Sequence, residues 1–257
     1  MRIKHILLVL TISISFALNA QNNRQALSVE FGYGVNSHSM GKLNEFYIDS
    51  FASKPQVNIL QDYIKSGQQF RLGINYKPIG LFDFGLYGSY QYGNSKSRPL
   101  FTETDEFGWP IQEHRGSFEL RTEAISVGIN TTWYVSHLLK FQDKENTLNR
   151  FHFGIEINGG VGFSKAIADI GYETFPIAST YDFFNSRDFQ GQVGIKAEYD
   201  FTKSPLFTTL GIRFGYQYFK TKTVKDRLGR DWEILGQYPI NLDFSGFYFG
   251  TYLKLGR

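Results

Sequence analysis

Apolar and polar residues alternate with a period of two along most of the chain. In the first such run, Leu27, Val29 and Phe31 share one face, while Ser28 and Glu30 share the other. Alternation of this kind predicts a β-strand with one apolar and one polar face. Eight runs follow the pattern, beginning at Leu27, Phe70, Phe82, Ile125, Phe151, Phe189, Leu206 and Phe247. We therefore predict an all-β fold of eight antiparallel strands, each roughly as long as the about 9–11 residues of a tilted transmembrane strand.

Short and long connections alternate between these runs. The second and third runs are joined by the short turn Pro78–Leu81, and the sixth and seventh by Thr202–Pro205. The long connections are 37–67, 93–117, 164–188 and 219–245. Short turns at one end and long loops at the other are typical of an up-and-down transmembrane barrel. Ten strands are the alternative, if part of the first or third long loop joins the sheet.

Two features of the strand faces predict that the apolar face points outward. The polar face is rich in glycine, at Gly32, Gly34, Gly73, Gly154, Gly194, Gly211 and Gly215. An eight-stranded barrel has an interior just wide enough for side chains, so glycines relieve crowding there. The apolar face carries so many aromatic rings that it would overfill such an interior, whereas a lipid-facing band accommodates them. A water-soluble barrel with an apolar interior is the alternative.

Tyrosine and tryptophan lie near the ends of several runs. These residues are enriched where a membrane meets water. We therefore predict an aromatic girdle made of Tyr33, Tyr76, Tyr90, Tyr92, Trp133, Tyr199, Tyr216 and Tyr218.

The composition excludes several classes of protein. The 257 residues include no cysteine, so disulfides, thiolate metal sites and a cysteine nucleophile are excluded. The formal net charge of +3 argues against a nucleic-acid-binding protein. Aromatic residues make up 17% of the chain, which argues against disorder.

The first twenty residues have the pattern of a secretory signal peptide. Arg2 and Lys4 precede the apolar stretch Ile6–Leu18, and Ala20 is a small residue suited to the cleavage site. A membrane anchor is the alternative, but a stable helical span needs about 20 apolar residues. We expect cleavage before Gln21, leaving residues 21–257 as one barrel domain.

With these features the chain resembles the small outer-membrane β-barrels of the OmpA/OmpX/OmpW and PorT-like type. The resemblance covers residues 26–257 and rests on architecture and on the export junction Asn19-Ala20-Gln21. Many such barrels end on an aromatic residue, whereas this sequence ends Leu253-Lys254-Leu255-Gly256-Arg257. The resemblance implies an integral outer-membrane protein with no cofactor.

The polar face carries charges of both signs, which must be paired inside a barrel because an isolated buried charge is costly. Glu156 and Lys196 fall at similar heights on adjacent strands, so we predict that they pair. Glu30 has Arg71 and Lys254 as candidate partners. The predicted lumenal network comprises Glu30, Arg71, Glu156, Lys196, Glu198, Arg213 and Lys254. A plugged polar interior is the favoured interpretation, and a narrow ion path is the alternative.

A lipid-modifying enzyme is a further alternative. Such chemistry needs a histidine base beside a hydroxyl nucleophile, and Ser37-His38-Ser39 lies where the first strand ends. However, the chain has no G-x-S-x-G and no H-x-S-N pattern. The acidic segment around Glu113-His114 lacks the spacing of a metal site. We therefore predict no catalytic residues, no metal and no cofactor.

The long loops suggest what the protein contacts. In the first loop, Leu43, Phe46, Tyr47 and Phe51 and then Val57, Leu60, Tyr63 and Ile64 have helical spacing, which predicts a lid of one or two short helices. In the last loop, Lys220, Lys222, Lys225, Arg227 and Arg230 make a basic segment that suits lipopolysaccharide phosphates or stays solvated.

The function predicted from these features is a non-enzymatic outer-membrane barrel that acts in surface contact, in envelope integrity or as an accessory of an envelope complex. Its expected partners are outer-membrane lipid and lipopolysaccharide, with an envelope complex or a surface ligand as further candidates, and no nucleic acid.

Overall fold

The computed structural model describes residues 26–48, 57–58, 63–79, 81–98, 100–138, 150–172, 180–201, 207–234 and 238–256. Eight long strands form the barrel: β1 Ala26–Ser37, β2 Ser66–Ile79, β3 Phe82–Ser97, β4 Pro110–Tyr134, β5 Phe151–Tyr172, β6 Thr180–Asp200, β7 Phe207–Tyr218 and β8 Gly246–Leu255. The signal peptide expected over residues 1–20 and the turn expected at Thr202–Pro205 lie outside the described residues.

Each strand is hydrogen-bonded to its neighbours in sequence, always antiparallel, and the ring closes where β1 pairs with β8. The closing register runs from Val29 opposite Leu255 to Asn36 opposite Tyr248. This ring confirms the predicted eight-stranded up-and-down barrel. No helix among the described ranges is long and apolar enough to cross a membrane.

Short elements add to the loop end of the barrel without entering the ring. Leu100–Thr104 forms a hairpin with the start of β4. Val57–Asn58 pairs with the free edge of Leu100–Thr104. In the last loop, Lys220–Thr223 pairs with Asn241–Asp243, and Glu233–Ile234 pairs with Tyr238–Pro239. In the part of the chain that the structure describes, short helical segments occur at Leu43–Ile48 and Val135–Leu138. The second helix expected in the first loop is wrong where the structure describes it: Val57–Asn58 is extended, and Tyr63 and Ile64 are not helical. Phe51 and Leu60, which belong to the same expectation, lie outside the described residues.

The outer wall of the ring is apolar and exposed. On β5, the outward side chains of Phe153, Ile155, Ile157 and Val161 are all exposed, and the intervening Glu156 is buried. The same arrangement holds on β4, β6 and β7. A water-soluble barrel buries its apolar face inside, whereas this one turns that face outward, as a barrel surrounded by lipid does.

Three strands continue well beyond the apolar wall, and here the sequence-based loops were wrong. β4, β5 and β6 have 25, 22 and 21 residues, so much of segments 93–117 and 164–188 is strand rather than loop. The polarity of the two faces inverts along β4. The inversion lies between Glu123 and Ile125. Toward the short-turn end, apolar Ile125 points outward. Toward the loop end, Glu119 and Arg121 point outward, and Phe118 and Leu120 are buried inside. We infer that the inversion marks where the strand leaves the membrane for water.

An apolar core closes the loop end of the barrel. It combines inward residues of the strand extensions with residues of the first and last loops: Met40, Leu43, Ile48, Ile64, Phe118, Leu120, Ala124, Ala166, Ala168, Phe184, Phe219, Val224, Trp232, Ile240, Leu242 and Phe244. Phe184 and Trp232 stack in parallel, with ring centroids 3.8 Å apart. Met40, Leu43 and Ile64 belong to the first loop, so this loop packs as part of a folded cap.

Inward glycines make room for aromatic rings. The Tyr252 ring lies against Gly211 and the Phe219 ring lies against Gly162, so closely that a Cβ at either glycine would overlap the ring. Gly159 faces outward, and a Cβ there would meet only Phe189, at 4.0 Å. An added methyl group therefore has room at the outward Gly159 but not at the inward Gly211 and Gly162.

We expect Gly211→Ala to destabilise the barrel, because the added methyl group would overlap Tyr252 in a packed interior. Overpacking of this kind costs about 1–3 kcal/mol. The measurement is the temperature at which the compact band of the folded protein converts to the unfolded band on an SDS gel. Gly159→Ala is the matched control and should leave this temperature unchanged; equal shifts in both variants would contradict the assigned faces.

Candidate functional site

Five charged side chains meet at mid-height in the lumen. Glu156 Oε1 lies 2.9 Å from Arg71 Nη2, 3.2 Å from Lys196 Nζ and 3.6 Å from Arg213 Nη1. Glu30 contacts Arg213, lies 3.4 Å from Lys196 Nζ and lies 3.7 Å from Arg71 Nε. All five residues are buried. They come from β1, β2, β5, β6 and β7, so this central cluster cross-links strands on opposite sides of the ring.

A second cluster lies closer to the short-turn end. Lys254 Nζ is 2.8 Å from Glu198 and 3.0 Å from Asp83. Glu198 also accepts hydrogen bonds from the hydroxyls of Tyr252, at 2.7 Å, and Tyr134, at 3.0 Å. The Tyr134 hydroxyl in turn accepts one from Lys254 at 3.0 Å. This turn-side cluster satisfies its charges with hydrogen bonds as well as ion pairs.

Toward the loop end, amide side chains replace the charges. Gln217 accepts hydrogen bonds from Gln192, Gln91 and Gln190 at 2.7, 2.8 and 3.2 Å. Its own amide donates to Gln91 and to the backbone carbonyl of Phe244, both at 3.0 Å. The sequence-based interpretation did not identify this glutamine layer. The signal was present as glutamines at inward positions of β3, β6 and β7.

Taken together, the two clusters contain equal numbers of acidic and basic side chains. They contain four acids, Glu30, Asp83, Glu156 and Glu198, and four bases, Arg71, Lys196, Arg213 and Lys254, all buried. Side chains of the two clusters and of the glutamine layer reach one another across the lumen, and the apolar core covers the loop end. Among the described residues, the interior is a packed polar column rather than an open bore.

The pairing differs from the expected one at a single residue. The structure brings Glu156 and Lys196 together as expected, and it places Arg71 beside Glu30. Lys254 does not pair with Glu30, although the two residues are direct partners in the register of β1 and β8. Glu30 is already surrounded by three cations, whereas Glu198 and Asp83 lie within reach of the long lysine side chain toward the short-turn end.

The structure places the eight girdle residues on the outer wall. Tyr33, Tyr216 and Tyr218 are exposed toward the loop end, and Tyr76 and Trp133 toward the short-turn end. Tyr90, Tyr92 and Tyr199 are half-buried against neighbours. Several rings pair across strands, including Tyr33 with Phe70 at 5.1 Å and Phe151 with Tyr199 at 4.9 Å.

The alternative enzymatic site is not assembled at Ser37-His38-Ser39. Ser37 is exposed and hydrogen-bonds the backbone of Phe247, whereas His38 points into the cap. The period of two therefore separates the hydroxyls and the imidazole onto opposite faces. In the first hairpin, His114 Nε2 lies 3.1 Å from Glu103. No group of three or more acidic or histidine side chains suited to a metal ion occurs among the residues that the structure describes.

His38 is buried just beyond the end of β1. Its ring lies edge-on to Phe244, with centroids 5.3 Å apart, and close to Gly67 and Gly93. Burial lowers the pKa of His38 to about 4, and the charge of Asp243 opposes this only in part. The cap therefore contains a neutral imidazole at neutral pH.

We expect Glu156→Gln to destabilise the barrel strongly, because it leaves three buried cations around the single acid Glu30. Breaking a buried ion pair from one side costs about 3–5 kcal/mol. The control is Glu123→Gln, which breaks a partly exposed pair with Lys165 (2.9 Å) above the apolar wall and should have little effect. Adding Lys196→Met to Glu156→Gln should recover part of the loss in the same thermal gel assay; no recovery would contradict the described pairing.

We expect the cap to loosen as the pH falls from about 6.5 towards 4. The folded state holds the pKa of His38 below its ordinary value, so the unfolded cap binds the proton more tightly and acid favours opening. The measurement is amide hydrogen-exchange protection of Met40 and Ile64 at several pH values. His38→Phe removes the titrating group and should flatten the profile; an unchanged profile would exclude His38 as the cause.

No protein-family model and no curated protein matches the sequence. Solved structures that are similar include OprG of Pseudomonas aeruginosa, with a TM-score of 0.41, 9% identity, and 91% of this chain and 97% of that chain covered. Ail of Yersinia pestis, solved with the heparin analogue sucrose octasulfate, has a TM-score of 0.39 and 12% identity over 90% of this chain and 97% of that chain. The outer-membrane protease OmpT of Escherichia coli has a TM-score of 0.32 and 8% identity, over 90% of this chain and 95% of that chain.

The closed ring of eight antiparallel strands and its apolar outer wall identify the protein as an integral outer-membrane β-barrel.

Proposed function

We propose that this barrel is a non-enzymatic surface-contact protein: a closed membrane support that holds two rigid tips above the membrane. The observation that carries the proposal is the extension of β4, β5 and β6 beyond the apolar wall, together with an exposed apolar side chain at each tip. Residues 1–20 would be its cleaved signal peptide and 21–257 its barrel domain.

The first tip is the turn Asp105–Trp109, between Leu100–Thr104 and β4. The Asp105 carboxylate accepts hydrogen bonds from the backbone of Phe107 and Trp109, at 2.9 and 2.8 Å. Gly108 has a φ of 85°, a conformation that favours glycine. The turn holds Phe107 and Trp109 outward, 78% and 71% exposed.

The second tip, Asp226–Arg230, repeats this geometry in the last loop. The Asp226 carboxylate accepts hydrogen bonds from the backbone of Leu228 and Arg230, at 2.8 and 2.9 Å. Gly229 has a φ of 80°. Leu228 is 78% exposed. In each turn one backbone hydrogen bond joins the two ends, from Asp105 to Trp109 and from Asp226 to Arg230, both at 2.9 Å. A second runs from the glycine N–H to the aspartate carbonyl.

Both tips suit binding better than the lumen suits conduction. An aspartate-locked turn is already ordered, so a partner does not have to bear the entropy of ordering it. Exposed aromatic side chains are enriched at protein interfaces. The filled lumen weighs against the narrow-channel alternative. The separation of Ser37 from His38 weighs against the lipid-modifying alternative.

The proposal is tested by the double variant Phe107→Ser/Leu228→Ser, which keeps both aspartates and both glycines of the turns. Cells that carry it are offered beads coated with heparin, with serum albumin, with a phosphatidylcholine bilayer, or with the purified protein itself. We expect capture on at least one coating to fall about tenfold relative to cells with the unaltered protein.

The control is Tyr238→Ser, which removes an exposed ring of the last loop away from the second tip. Cells with this variant should be captured as well as cells with the unaltered protein. Equal capture of all three cell types on every coating would contradict a contact function. Discrete conductance steps in a planar bilayer would favour the channel, and release of fatty acid from membrane lipid would favour the enzyme.

A further inference from the structure

The two tips share one turn geometry but carry opposite charge. The first hairpin, Leu100–Arg115, has four acids against one arginine, a net charge of −3 with His114 neutral. The segment Lys220–Ile234 has five basic residues against three acids, a net charge of +2. We call these the acidic hairpin and the basic hairpin.

Some of these charges are already used within each hairpin. In the acidic hairpin, Asp105 is held by the turn and Glu103 pairs with His114. In the basic hairpin, Arg230 pairs with Asp226 at 2.7 Å and Lys225 with Asp231 at 3.3 Å. Lys220 is paired with Asp243 at 3.9 Å. The exposed charges that remain are Glu106, Glu113 and Arg115 on the acidic hairpin and Lys222, Arg227 and Glu233 on the basic hairpin. The remainder is therefore net negative on the first hairpin and net positive on the second.

The two tips do not cover each other within one molecule. Phe107 and Leu228 are each 78% exposed. Complementary surfaces that cannot meet in the same copy can meet between two copies. If the acidic hairpin of each copy contacts the basic hairpin of the other, the contact has a two-fold axis and closes on itself.

The heights of the tips favour copies on facing membranes over neighbours in one membrane. Lys225 is bridged to Asn185, which is paired through Lys165 with Glu123. Trp109, just before β4 begins, lies 14 residues from Glu123. At ~3.3 Å per residue along the strand, ~4.8 Å per step between strands and a tilt of about 40°, the acidic tip stands on the order of 20–35 Å higher. Parallel neighbours would hold the two tips at different levels, whereas copies facing each other bring the tall tip of one to the low tip of the other.

We propose that the partner of this surface is a second copy of the chain on a facing membrane, with the acidic hairpin of each copy docked on the basic hairpin of the other. This inference rests on the proposed contact function and names its partner. Phe107 and Leu228 supply the apolar centre of the contact, and the surrounding charges set its specificity. Exposed charge pairs are individually weak, so adhesion depends on many copies acting together and weakens with salt.

The test uses two charge-reversed variants. Glu106→Lys/Glu113→Lys makes both hairpins basic, and Lys222→Glu/Arg227→Glu makes both acidic. The two variants are displayed at equal density on cells that lack other adhesins, and each variant has its own fluorescent colour. Aggregates are counted by microscopy. The heat-shifted gel band confirms that both variants are folded.

We expect cells with the unaltered protein to aggregate with one another, less strongly in 0.5 M salt. Each variant alone should aggregate at least tenfold less, and a mixture of the two variants should aggregate again, with the colours alternating. Failure of the unaltered cells to aggregate, undiminished aggregation of either variant alone, or a mixture that does not recover would each overturn the homotypic contact. Loss of bead capture by Phe107→Ser/Leu228→Ser on heparin, albumin or lipid would then still support a contact function with another partner.

Discussion

The pairing of charge inside the lumen is the interaction on which the rest of the structure depends. A barrel with an apolar outer wall must direct its polar faces inward, into a space that eight strands leave almost closed to water. Four acids and four bases occupy that space, and each acid lies beside at least one cation. Because Glu30 and Glu156 both contact cations from β2, β6 and β7, the central cluster ties distant strands together. The same cross-links fill the bore.

Beyond the membrane the outer face of the strands meets water instead of lipid, so polar side chains point outward and apolar side chains point inward. Outside the lipid, β4 presents Glu119 and Arg121 to water and buries Phe118 and Leu120. The buried face joins residues of the first and last loops in an ordinary hydrophobic core. That core fixes the strand extensions as a rigid platform, so the tips at Phe107 and Leu228 stand on folded structure. A closed base and a rigid, raised rim together suit contact better than transport.

The sequence was sufficient to predict the ring and the directions of its faces, because a period of two assigns each strand residue to one side. It also predicted that Glu156 and Lys196 would meet, since both lie at similar heights on adjacent strands. It could not predict the partner of Lys254, because a long flexible side chain reaches residues that register alone does not bring together.

Two features were readable in the sequence but were missed. An assignment that keeps apolar residues on the outer face predicts loops where the strand extensions lie, because the pattern inverts between Glu123 and Ile125. The repeated aspartate and glycine spacing of Asp105–Gly108 and Asp226–Gly229 was the signal for the twin tips. What that spacing could not reveal is that the first tip would stand on the extension of β4 and the second beside the extension of β6, where Lys225 is bridged to Asn185.

The orientation of the apolar face is the central claim, and its most direct measurement is the environment of spin labels on the outer wall. Since the chain contains no cysteine, single cysteines at Ile155, Ile157, Ile212 and Phe214 can carry nitroxide labels in protein reconstituted into bilayers. We expect these labels to collide readily with dissolved oxygen and rarely with a water-soluble nickel complex, as groups facing lipid do. Labels shielded from both reagents would show that this face is a protein interior and would contradict the account.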